Sequence, residues 1–235
     1  MNKYIVVYVF LFLFFSCKKQ KKESYSDLNS TQYFSTATDL KNLTNIGKHK
    51  INDSIYKIIG KFNAYDIVGY VKPNNKRTGW WEAKDRKTNE LIARLEYRII
   101  DNKEFVNQFV LYQKGKIDTL NSKFYSLKKT INSIKYKFYT PDQLKAVRSE
   151  GKLYYGYFSN EEGKKHLECK CTKIKNSFDC EFLIPINMNK ETIIRGNFWQ
   201  MFQLENGDIG QNDIYVLDTI NQKLSTSTVE LLKSK

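Results

Sequence analysis

From Ala64 onward, short runs rich in β-branched and aromatic residues alternate apolar with polar positions and are separated by Asn, Gly, Asp and Lys. A period of two places every second side chain on one face, as a half-buried antiparallel strand requires. The pattern predicts an all-β fold of mainly antiparallel sheets, with strands over 65–72, 78–84, 91–100, 104–112, 117–127, 132–139, 152–158, 165–174, 178–186, 191–204 and 212–219. The connections Pro73-Asn74-Asn75, Asp101-Asn102, Lys114-Gly115, Lys175-Asn176 and Asn206-Gly207 carry residues that tolerate positive φ. Before this region, Ile55, Ile58, Ile59 and Phe62 have helical spacing within a stretch whose Ile/Tyr richness suits a strand, so it reads either way. Residues 18–38 show no sustained period and read as a tether.

One helix signal interrupts the strands. Thr140 and Gln143 form a capping box, Pro141 suits the first turn and Gly151 a stop, predicting a short connecting helix over 140–151. The expected order is a signal segment (1–16), a lipidated N-terminus and tether (17–50), an N-terminal β-rich region (51–139), the helix (140–151), a C-terminal β-rich region (152–220) and a polar tail (221–235). Asn107-Gln108-Phe109 before Phe124-Tyr125 is echoed by Trp199-Gln200-Met201-Phe202 before Ile214-Tyr215. Both a single sandwich and two related β subdomains accommodate these strands.

Around the Lys175-Asn176 turn, a two-residue hairpin sets Cys171 opposite Cys180, Lys170 opposite Glu181, Thr172 opposite Asp179 and Cys169 opposite Phe182. One face is then apolar and the other pairs opposite charges, which makes Cys171–Cys180 the expected disulfide in an oxidising compartment. Three buried thiols would fit the same face. His166, Cys169, Cys171 and Cys180 have ligand chemistry for zinc, but Cys-x-Cys on a strand lacks knuckle spacing, and no metal or other cofactor is expected.

Trp80 and Trp81, adjacent in a strand, must face opposite ways. Gly69 on the neighbouring strand leaves room for an indole to lie across the backbone, and the other tryptophan, with Tyr70 and Tyr97, forms a candidate binding surface for a sugar or a protein. Gly79-Trp80-Trp81, Asp85, Leu91 and Tyr97 followed by Asn102-Lys103 resemble one degenerate copy of a MORN-like repeat, with Asn89 where that pattern has glycine. The resemblance implies antiparallel hairpins that scaffold or bind.

Ahead of all this lies Lys3, an apolar run from Tyr4 to Phe15, and then Ser16-Cys17. Twelve residues of helix reach about 18 Å against a hydrocarbon core of about 30 Å, so the run is a signal-peptide core, too short for a span. Leu13-Phe14-Phe15-Ser16-Cys17 resembles the loose, aromatic-rich lipobox of Bacteroidota-type bacterial lipoproteins. That resemblance implies cleavage before Cys17 and its lipidation with fatty acyl chains such as palmitate. Lys18, Lys19, Lys21 and Lys22 would then lie against anionic headgroups, and a basic stretch after the cysteine favours a periplasm-facing position in the cell envelope over surface exposure.

A formal net charge of +14 raises the question of nucleic acid, but no recognition motif accompanies it and an exported chain is not expected to meet any. His49 and His166 sit in no metalloprotease or nucleophile-elbow context, and Glu161-Glu162 lies in a turn. The chain is therefore expected to be non-enzymatic: a membrane-anchored envelope lipoprotein whose β domain binds a protein or a glycan. An immunity-type lipoprotein neutralising a secreted toxin is the alternative, and a small hydrolase a third.

Overall fold

Among the described residues eight other than glycine have left-handed φ, and seven of them lie where the chain reverses; Asn75, Asp101, Asn102, Lys114 and Lys175, with Gly115 and Gly207, fall in the five hairpin connections that the sequence predicts, while Asn45 lies within a strand. The computed structural model describes residues 30–129, 133–141, 146–158, 166–183 and 192–220. The expected signal segment, Cys17 with its basic neighbours, the Glu161-Glu162 turn and the polar tail lie outside these residues.

The fold is all-β, in two seven-stranded antiparallel sheets. The first is a meander of β1 (Thr44–Asn52), β2 (Ile55–Phe62), β3 (Tyr65–Val71), β4 (Arg77–Asp85), β5 (Leu91–Ile100), β6 (Lys103–Gln113) and β7 (Lys116–Ile117), each paired with the next. The second contains β8 (Phe124–Lys129), β9 (Ser133–Tyr139), β10 (Ala146–Phe158), β11 (Leu167–Ile174), β12 (Ser177–Leu183), β13 (Thr192–Leu204) and β14 (Ile209–Ile220), in the order β14-β13-β10-β11-β12-β9-β8. Each sheet has its own hydrophobic core, so the arrangement is two β subdomains and not one sandwich. Their topologies differ, so the Asn107 and Trp199 echo does not mark a repeated fold. The boundary falls at residues 118–123, between β7 and β8, and not at 140–151. Here Asp118 Oδ1 accepts from the Leu120 and Asn121 amides at 3.1 and 3.2 Å and splits the predicted strand 117–127.

The predicted helix over 140–151 is overturned in its second half. Ala146–Gly151 opens β10 and pairs with Leu204–Gln200 of β13. Gly151 serves packing rather than a helix stop, since a Cβ there would lie 2.7 Å from Phe178 and 2.9 Å from Phe198. The capping signal is local, whereas β10 pairs along both edges and buries Leu153, Tyr155 and Tyr157. Tertiary burial outweighs a signal worth about 1 kcal/mol.

The helix that does form lies in the expected tether. Helix α1 (Thr31–Ala37) is capped by the Ser30 hydroxyl, which accepts from the Tyr33 amide at 3.2 Å, and buries Phe34 and Ala37 against the first sheet. A seven-residue helix does not persist alone in water. Arg77 holds its end, donating from Nη1 to the Ser35 carbonyl at 3.0 Å while its other nitrogens bind Glu104. The first subdomain therefore takes in residues from Ser30 onward, ahead of the expected boundary at 51. The ambiguous stretch 51–62 is resolved as the end of β1 and all of β2.

In the second sheet the order curls until its edge strands approach each other: Tyr125 of β8 and Tyr136 of β9 donate from Oη to Asp218 of β14 at 3.3 and 2.8 Å. Inside this near-barrel Phe138 stacks on Phe198 with centroids 4.1 Å apart, and Tyr155 on Phe182 at 4.0 Å. The expected hairpin register holds at Thr172↔Asp179, Lys173↔Phe178 and Ile174↔Ser177 and then stops, because β11 turns to pair with β10 through Leu167–Cys171. That change of partner corrects the disulfide. Cys169 is bonded to Cys180, with Cα atoms 6.4 Å apart, while Cys171, paired with Gly151, is a buried free thiol.

Burial pushes the Cys171 thiol up to about 12, which keeps it unreactive. Alkylation of the native chain is expected to leave Cys171 unmodified. Denaturation without reductant should expose one thiol from this cluster, and peptide mapping should recover a Cys169–Cys180 link. A Cys171–Cys180 peptide would contradict the strand switch.

Candidate functional site

The four residues expected to form a binding surface divide between core and surface. Trp81 is fully buried, lies flat over Gly69 as the sequence predicts, and donates from Nε1 to the Tyr70 carbonyl at 3.1 Å. Tyr97 is also core, packed edge-on to Trp81 at 6.2 Å, with its hydroxyl 2.6 Å from Thr38 Oγ1. Neither ring is presented to solvent, which corrects half of the expected surface. Trp80 and Tyr70 remain on the outer side: Trp80 is half-buried beneath the Arg94 guanidinium at 4.7 Å, and Tyr70 is exposed. The β3–β4 ladder shifts register between Val68 and Tyr70, opposite the stretch where Gly79 takes φ 63°.

The larger concave feature lies where the two sheets meet, and a polar seam builds it. In the β5–β6 ladder Glu96 faces Gln108 while Tyr97 faces Val106, so Asn107 is the extra residue of a bulge and turns sideways. Its amide behaves like a strand edge, accepting from the Tyr215 N–H of β14 at 2.7 Å and donating to the Tyr215 carbonyl at 2.9 Å. Gln108 Oε1 accepts from the Tyr125 N–H of β8 at 3.0 Å. Adjacent amides of β6 thus bridge both edges of the near-barrel. Glu96 Oε2 accepts from Asn107 Nδ2 and Gln108 Nε2, each at 2.7 Å, and its Oε1 accepts from Arg98 Nε at 2.9 Å. With every member partnered, such a network is rigid rather than costly.

The charges beside the seam respond to burial. Asp218 is shifted upward by desolvation, opposed by the hydrogen bonds from Tyr136 and Tyr125. Both phenols move upward, first through burial and then through the Asp218 charge. Lys123, whose Nζ donates to the Asp213 carbonyl at 3.1 Å, is shifted downward by burial. These groups bond across the strands that close the joint, so their role is positional.

Two adjoining depressions open beside the joint. One, of about 500 Å³, is lined by Tyr154, Phe158, His166, Glu168, Arg195 and Tyr215. The other, of about 680 Å³, is lined by Lys72, Thr78, Glu96, Arg98, Ile100 and Leu217, and Arg195, Gly196 and Tyr215 border both. Strand register explains the row: Glu168, Tyr154, Asn197 and Tyr215 lie side by side across β11, β10, β13 and β14. No protein-family model matches this sequence, and comparison with curated proteins finds no match either.

Sequence reasoning reached His166 as a histidine lacking a catalytic motif and as a member of the rejected zinc set, not as a groove residue. It missed Tyr154, Arg195, Tyr215 and Arg98, which stand far apart along the chain. A usable signal was present in Asn107-Gln108, two consecutive amides inside an otherwise apolar-alternating strand. The zinc set does not assemble, since Cys169 and Cys180 are joined to each other.

Proposed function

We propose that this chain is a lipid-anchored envelope protein, held through Cys17, whose folded part is a non-catalytic binding module with its ligand in the groove between the two sheets. The observation that carries the reading is the groove itself, preformed by the Asn107–Tyr215 seam and lined with exposed rings and cations. The meander of β1–β7 is the kind of scaffold that the MORN-like resemblance implies, which supports a binding role. Thirteen residue steps separate Cys17 from Ser30, a reach of at most about 45 Å, so an anchored module would work close to the membrane.

A glycan suits the groove better than a peptide does. The smaller depression is floored by β10 and β13, each paired on both sides, so those strands offer no main-chain edge to an extended peptide. A protein ligand of the immunity type would find its place on β1 instead. None of its nine residues is buried, and among the described residues no main-chain hydrogen bond reaches its outer edge. Lys48 and Lys50 there, with Lys57 and Lys61 on β2, would favour an acidic strand.

Cys17→Ser is expected to move the protein from the membrane to the soluble fraction and to abolish incorporation of labelled palmitate. A variant that still sediments with membranes would remove the anchor. Wild-type protein should be retained by protein-free envelope polysaccharide, and retention only by the protein fraction would replace the glycan reading with the β1 reading.

A further inference from the structure

We infer that the groove selects a glycan bearing carboxylates, a polyuronate, and that Arg195 is the residue that grips the carboxylate. This rests on the groove being a glycan site, as proposed above. The acids that line the groove are already neutralised. Glu96 is held by Arg98, Asn107 and Gln108, and Glu168 by Lys152 at 2.9 Å. The cations are not matched in the same way: among the described residues Arg195 and Lys72 have no carboxylate partner, and both are exposed. The uncompensated charge of both depressions is therefore positive.

Arg195 is also pre-aimed. Its guanidinium lies 5.3 Å from the centroid of the Phe158 ring, which restrains a planar group with five donors and leaves the fork free for two parallel bonds to a carboxylate. Tyr154 lies two register positions along β10 from Gly156, the partner of Arg195, and so on the same face; it is 44% exposed and offers a flat face to a pyranose. Next to it on β13 stands Asn197, whose Nδ2 donates to Asp213 Oδ1 at 3.4 Å and which completes the wall beside the tyrosine. Because Arg195 and Tyr215 border both depressions, the fitting ligand repeats along its length, with a ring and an anion in each unit.

Calorimetry on the purified full chain in detergent, with hexamers of galacturonate, mannuronate and hyaluronan, tests this. At least one should bind, and its methyl ester should bind at least about tenfold more weakly. Arg195→Ala should lower uronate affinity to that of the ester without changing the circular-dichroism melt, and Tyr154→Ala should weaken uronate and ester alike. Equal affinity for uronate and ester would overturn carboxylate selection while leaving the glycan site standing. Hexaglutamate binding with the same Arg195 dependence would overturn the sugar. Failure of all three hexamers would overturn the inference, and failure of the esters as well would remove the glycan site on which it rests.

Discussion

Gly69→Ala is expected to destabilise the first sheet by about 3–5 kcal/mol, the cost of losing a buried large aromatic. A Cβ built on Gly69 would fall inside the Trp81 indole. The indole has nowhere to go: Nε1 is tied to the Tyr70 carbonyl, its edge meets Tyr97, and it is fully buried. Either the ring leaves the core or the β3–β4 ladder opens. Urea denaturation of wild type, Gly69→Ala, Trp81→Ala and the double variant separates this from a generic effect of glycine replacement. In the Trp81→Ala background the added methyl should be nearly neutral, since the group it strikes is gone. Additive costs would show that Trp81 does not lie against Gly69.

Phe34→Ala should cost a similar amount, about 3–5 kcal/mol. Phe34 is fully buried and meets Tyr33 and Tyr65 edge-on at 5.3 and 5.5 Å. Helix α1 is too short to survive without that contact, so its loss also detaches Thr38 from Tyr97 and Ser35 from Arg77. The measurable result is a lower urea midpoint together with faster proteolysis between residues 30 and 43. A cost below about 1 kcal/mol would return this segment to the tether that its sequence suggests.

The strands and their turns were legible because both are governed by near neighbours. Alternation over β5 predicts Leu91–Ile100 to the residue, and Asp101-Asn102 carries positive φ at both positions, as a tight hairpin needs. That an indole would lie over Gly69 was legible for the same reason, since β3 and β4 are consecutive, whereas the choice of Trp81 was not. The misreadings share the opposite cause. Ser30 with Phe34 and Ala37 is a short helix signal that only a sheet to pack on makes stable. Thr140–Gly151 is a good local helix signal outweighed by β13, which lies some fifty residues away (Gly151↔Gln200). The disulfide shifted by two residues because β11 exchanges one partner for another midway along its length.

The amino-acid sequence by itself determined the all-β class, the turn positions, that the two tryptophans face opposite ways and the first three pairs of the cysteine hairpin, because period, φ preference and adjacent pairing act over a few residues. Only the tertiary structure decided that the strands divide at 118–123 into a meander and a near-barrel, that Asn107 and Gln108 join them, and that Cys169 rather than Cys171 meets Cys180. The groove belongs to this second group: Arg98, Tyr154 and Arg195 come from three strands and Lys72 from the turn after β3, and long-range pairing brings them together where no local pattern could.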